Sequence, residues 1–305
     1  MSRERQPFPL VPRRRLAGLP FGELPSRRRG QGADVIGSRP YEPRDPVSTI
    51  DWNASARLSA ALGTDEFVVR DRAADEAPRV AILADRRPAM SLYRAELPWL
   101  DKAAALAEAA NAIVTSALFA RSDVASLDFA GGGPYWLPPG RRNQPWLIAE
   151  RQIGAPFDAP EDSIALGLEN LARRRASLPR GSFVFVLSDF LARPPAAVWL
   201  AALAYDWDLV PVVIQDAVWE QSFPPVGSVV VPFADPREGR RTLVRLTRAQ
   251  ASDRRERNER RFEALLAELG SLDLEPVLLE TSEPLGIDRA FLEWAEARRQ
   301  SRWAR

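Results

Sequence analysis

Two apolar runs in this 305-residue chain end on an aspartate: "RVAILAD" closes on Asp85 and "SFVFVLSD" on Asp189. An acid placed directly after a buried parallel strand lies at the strand's carboxyl end, which is where open α/β sheets bind ligands. It has two readings. It caps the next helix or satisfies loop amides, or it ligates a hard cation such as magnesium through oxygen. The first strand complicates the second reading, because Arg86 and Arg87 follow Asp85 at once. An arginine bonds carboxylates bidentately and can be buried with them without a metal.

Most other chemistry is excluded by composition. The chain has no cysteine and no histidine, which removes disulfides, thiolate nucleophiles, the usual zinc sites and every histidine-based acid/base mechanism. Paired carboxylates and an oxygen-ligated metal remain. The formal charge is +1, and the basic bias is local: 8 of the first 29 residues are arginine, against two glutamates. Prolines break the basic start before an apolar segment develops, and no later run approaches a membrane span. These features predict a soluble cytoplasmic protein with no membrane partner.

The elements that must position the acids follow from pattern. Residues 1–35, rich in arginine, proline and glycine, read as an irregular arm; residues 36–76 read as a small accessory layer ending in the strand "EFVVRDR". Residues 77–305 alternate strands with helical stretches, the rhythm of a mostly parallel sheet with crossover helices on both faces, hence a three-layer α/β/α fold. The expected strands are "RVAILAD", "DVASLDF", "PWLIAE", "SFVFVLSDF", "DLVPVVIQD" and "LEPVLLE", with "GSVVVPF" and "RTLVRL" as edge strands. The expected helices run over about 98–119, 162–175, 195–205, 248–269 and 287–299. "GGGPYWLPPGRR" reads as a solvated hairpin tip, and the arginine-rich stretch from Arg254 to Arg261 as a salt-bridged, solvated helix face.

The stretch "RPYEPRDPVSTIDWNASAR", Arg39 to Arg57, resembles the signature of the bacterial domain-of-unknown-function family 58 through Tyr41, Asp45, Ile50, Asp51, Trp52, Ser55, Ala56 and Arg57. Arg44, Pro46 and Ser48 depart from that signature. Later pieces, "YWLPPGRR", "FVFVLSDF" and "VPVVIQDAVWEQSFPPVGSVVV", are similar in order. Within this motif Trp52 is expected to anchor the accessory layer and Arg57 to pair with an acid.

The family is similar to von Willebrand factor A domains, which implies that fold and a metal-ion-dependent adhesion site with an Asp-x-Ser-x-Ser loop, a threonine and a later aspartate. Carried over, the first loop becomes Asp85, Arg87 and Ala89, the threonine falls near Asp162 or Ser163, and the later acid is Asp189. Both serines are missing, so the resemblance implies a degenerate site formed by Asp85, Arg86, Arg87, Asp162, Ser163 and Asp189. Three arrangements stand open: an arginine takes the cation's place, both arginines are solvated, or a metal is retained.

The expected function is a non-enzymatic interaction module without a cofactor. The resemblance implies a MoxR-type AAA+ ATPase as its partner in complex assembly or chaperone-like maturation. Two alternatives belong to other classes: a metal-dependent hydrolase using Asp85, Asp162 and Asp189, and nucleic-acid binding through the basic arm.

Overall fold

The structure, a computed structural model, describes residues 6–13, 24–29, 35–41, 47, 50–63, 66–76, 78–92, 100–227, 229–235 and 240–303. The chain divides into two compact units, one of residues 14–78 and one of residues 1–13 with 79–305.

In the smaller unit, β1 (Leu24–Arg29) and β2 (Val35–Pro40) flank β3 (Val68–Glu76) in a three-stranded antiparallel sheet. Helix α1 (Trp52–Leu62) precedes β3. Its start explains the Asp-Trp motif: Asp51 is the N-cap, its carboxylate accepting from Ala54 N–H at 3.1 Å. Ser55 ties the helix to the sheet, donating to Asp51 O at 2.7 Å and accepting from Val68 N–H at 2.9 Å. Tyr41 and Trp52 each meet the Phe67 ring edge-on.

In the larger unit the elements run β4 (Val80–Ala84), α2 (Lys102–Phe119), β5 (Val124–Asp128), β6 (Tyr135–Gly140), α3 (Gln144–Gly154), α4 (Ser163–Arg173), β7 (Phe183–Ser188), α5 (Ala196–Leu203), β8 (Asp208–Ile214), β9 (Val229–Ala234), β10 (Arg241–Leu246), α6 (Arg248–Ser271), β11 (Val277–Leu279) and α7 (Pro284–Trp303). Six strands form one sheet in the order β11-β8-β7-β4-β5-β6, parallel except for β6. Alternate residues of the central strands feed two cores. Val80, Ile82 and Ala84 pack with α2, α3 and α7, while Ala81 and Leu83 pack with α4, α5 and α6. The result is the expected three-layer α/β/α fold.

The strand order places β4 beside β7, with the chain leaving β4 toward one edge and β7 toward the other. That is the topological switch point, and the crevice beyond the carboxyl ends of these two strands is where such sheets take ligands.

Several expectations are corrected. The arm over residues 1–35 is not irregular throughout: Phe8 and Val11 are buried in the first core, and residues 24–29 form β1. Phe8 stacks on Phe291 with centroids 4.6 Å apart and its N–H donates to Ser116 Oγ, so residues 6–13 form a proline-rich strap whose Phe8 and Val11 enter the core. "PWLIAE" is helical, not a strand: Pro145 sits in the first turn of α3, and Ile148 and Gln152, four residues apart, face inward. The strand is instead "YWLPPG", which tolerates Pro138 and Pro139 because β6 is an edge. "GSVVVPF" and "RTLVRL" do not join the main sheet; β9 and β10 make a two-stranded hairpin on its own small cluster around Phe223, Val231, Leu246 and Ala251.

Candidate functional site

The residue after β4 is Asp85 and the residue after β7 is Asp189, both fully buried. The Asp85 N–H continues the ladder to Leu187 O at 2.9 Å, which fixes where its carboxylate points. Asp85 Oδ1 accepts from the Arg87 N–H at 2.9 Å, a two-residue turn that folds the loop back over the strand end. The Arg87 side chain completes the turn, its Nε donating to Oδ2 at 2.9 Å and its Nη2 to Oδ2 at 2.6 Å. The same Nη2 donates to Asp189 Oδ1 at 2.6 Å. One buried guanidinium therefore bridges the acids of both central strands. Ser188 supports the bridge by donating its hydroxyl to Asp85 Oδ2 at 2.6 Å.

A second cation closes the other side. Lys102, at the first turn of α2, donates to Asp189 Oδ2 at 2.9 Å and to Glu220 Oε1 at 2.7 Å. Glu220 lies in the loop after β8, where its Oε2 accepts from Asp216 N–H and its carbonyl accepts from Arg261 Nη2. Burial opposes charge on Arg87 and on Lys102, but Asp189 and the second acid beside each outweigh it, so both are held above their ordinary values and stay charged. Burial alone raises Asp189, and Lys102 and Arg87 more than reverse this, bringing it down to about 2. Arg261 is lowered, chiefly by burial.

The other predicted residues separate. Arg86 is fully buried but touches neither acid: its Nη2 donates to Gln152 Oε1 at 2.6 Å and to Arg151 O at 3.1 Å, and its Nη1 to Gln152 O. These carbonyls belong to the last turn of α3, so Arg86 is a C-terminal helix cap, stacked over Phe157. The arrangement with both arginines solvated is thereby overturned. Asp162 precedes α4, is exposed, and its side chain makes no hydrogen bond or ion pair with the described residues. Ser163 is buried beside it, and its hydroxyl has no hydrogen-bond partner among the described residues. Neither bonds to Asp85 or Asp189.

The family-motif residues belong to the smaller unit. Trp52 is 60% exposed and touches Phe67, not a core. Arg57 donates to Asn53 O at 3.2 Å, a carbonyl of its own helix in place of the expected acid. Asp45 lies outside the described residues. Tyr41, Asp51 and Ser55 have the structural roles given above.

The site's residues do not fit a divalent cation. Every carboxylate oxygen of Asp85 and Asp189 already accepts from nitrogen donors, and side chains 87 and 89, an arginine and an alanine, bring no ligand oxygen. Among the described residues no group of three or more acids is gathered to hold a metal ion.

Sequence reasoning missed Lys102 and Glu220. A signal for the first existed: Lys102 is the chain's only lysine, set at the head of an alanine-rich helix. A third strand end repeats the device. Asp128, which closes β5, takes a bidentate bond from Arg151 at 2.9 and 2.7 Å, with that guanidinium over the Tyr135 ring. The aromatics of "GGGPYWLPPGRR" are accordingly covered: Arg151 lies over Tyr135 and Arg174 over Trp136.

The fold and this rim define an α/β/α domain whose strand-end acids are neutralised from within. Residues 37–264 match the family model described as "Protein of unknown function DUF58", and the chain belongs to that family. Three solved structures are similar. An aerotolerance-related membrane protein from Bacteroides fragilis NCTC 9343, carrying multiple mutations to serines, has 13% identity and TM-score 0.45, covering 72% of this chain and 100% of that one. The conserved hypothetical protein BatB from Bacteroides thetaiotaomicron has 15% identity and TM-score 0.42 over the same shares. The SpRpn10 VWA domain has 13% identity and TM-score 0.31, covering 46% of this chain and 76% of that one. No curated protein matches. Among the described residues no helix is long and apolar enough to cross a membrane.

Proposed function

We propose that the protein is a non-enzymatic, cytoplasmic interaction module that offers the strand-end face of its larger unit to a protein partner. On this reading the face is a degenerate metal-ion-dependent adhesion site in which Arg87 replaces the ion, and the partner is a MoxR-type AAA+ ATPase served in complex assembly or maturation. The observation that carries the reading is the Arg87 guanidinium bonded at 2.6 Å to both Asp85 and Asp189. A cationic centre held at the switch point by its own chain keeps the rim's shape without an exchangeable ligand. The absence of histidine and cysteine supports the non-enzymatic part. Of the predicted site residues, Asp162 at the head of α4 is the exposed one and is the contact tested first.

The test is a binding assay between the full chain and the MoxR-type ATPase of the same genome, with and without ATP. Retention of the wild type, weakened at least about fivefold by Asp162→Arg, is the expected result. Absence of retention in both nucleotide states removes the partner. Heat on titration with magnesium or manganese removes the internal-cation reading.

A further inference from the structure

Among the described residues, the β9–β10 hairpin carries a strand edge with no pairing partner. Asp235 N–H donates to Arg240 O at 3.0 Å, and the register pairs Arg241 with Ala234 and Leu243 with Pro232. Hydrogen-bonded pairs alternate in an antiparallel ladder, so the Arg241, Leu243 and Arg245 positions are non-bonded pairs whose N–H and C=O groups point away from β9. Pro232 occupies the matching place on β9 and has no N–H to offer there, so the edge able to donate at its centre is that of β10. Among the described residues β10 pairs with β9 alone.

The side chains beside that edge select the occupant. Leu243 is 71% exposed, while Val244 and Leu246 face the hairpin's own cluster. Arg240, Arg245 and Arg248 are exposed and have no ion pair among the described residues, and no acid occurs from Arg240 to Arg248. Natural edges are commonly protected by charge. Here the charge has one sign, which repels a second copy of the same edge and attracts an acidic segment.

We propose that the outer edge of β10 is a second docking surface, separate from the strand-end rim, which adds one extended acidic segment of a partner protein as a third strand. The segment's same-face side chains would run acid, apolar, acid: an apolar residue against Leu243 and carboxylates against Arg245 and its basic neighbours.

Fluorescence anisotropy of the full chain with labelled Glu-Thr-Glu-Thr-Leu-Thr-Glu-Thr-Glu tests this. A control peptide with each threonine replaced by proline keeps the charge but cannot pair as a strand. The expected result is saturable binding, weakened at least about fivefold in the control peptide, in Leu243→Pro and in Arg245→Glu, with circular dichroism unchanged. Leu243→Pro removes an outward N–H and the exposed leucine side chain without taking a hydrogen bond from β9; should it unfold, Arg245→Glu and the control peptide decide alone. Equal binding of the two peptides, tighter binding of a thymidine oligonucleotide, or no binding overturns the proposal.

Discussion

Arg87 Nη2 donates to Asp189 Oδ1 at 2.6 Å across 102 residues of chain, while the same nitrogen holds Asp85 Oδ2 at 2.6 Å. The two carboxylates sit at the ends of neighbouring strands and are both fully buried. Without a cation between them they would repel in a medium that screens poorly, and ionising both would be costly.

Arg87→Ala leaves Asp85 without its guanidinium and Asp189 with Lys102 alone. Urea denaturation is expected to show a loss of about 3–5 kcal/mol, the usual cost of breaking a buried pair from one side. Arg87→Lys, which cannot reach both acids through a planar fork, is expected to restore only part of that. A loss under about 1 kcal/mol for Arg87→Ala would mean the bridge does not hold the rim.

Lys102→Met is expected to cost about 2–4 kcal/mol, because Glu220 and Asp189 lose a shared donor. Adding Glu220→Gln should recover part of this, since it removes one of the stranded charges. A double-mutant cycle measures the coupling, and strict additivity would show that the two side chains do not interact.

Acid stability follows from Asp189. Its folded-state value, about 2, lies below the ordinary 3.8 for aspartate, so the unfolded chain binds the proton more readily. The stabilisation is therefore complete above about pH 4 and is lost as pH falls toward 2. Asp189→Asn should flatten that limb of the stability curve. Asp208 runs the other way. Burial raises it despite Arg298, so its share is present at low pH and is lost as pH rises through the folded value. A wild-type curve and an Asp189→Asn curve that superpose from pH 4 to 2 would refute the first assignment.

Phe8→Ala removes a ring that stacks on Phe291 and meets Trp294 and Phe185 edge-on. The expected loss is about 3–5 kcal/mol. An unchanged denaturation midpoint would show that the strap is dispensable to the core.

Asp85 and Asp189 were legible because each closes a predominantly apolar run, and a strand buried on both faces has one place to put a carboxylate. Arg87 was legible through its spacing, two residues after the acid, where a local turn brings it back. Arg86 was not, although it stands next door: its partners are carbonyls of α3, and that helix read as a strand because Trp146, Leu147, Ile148 and Ala149 form a short apolar run without a clear period. Lys102 and Glu220 are 118 residues apart, and only the order of strands brings them together. Phe8 was concealed by its prolines, which suggest irregular chain and say nothing of burial.

A cation tethered by three methylenes to its own backbone has a local concentration set by geometry and not by the medium. Chelators cannot strip Arg87 from between Asp85 and Asp189, and dilution cannot empty the position. The carboxyl rim of this sheet thus keeps one electrostatic state across ionic conditions that would load and unload an exchangeable ion.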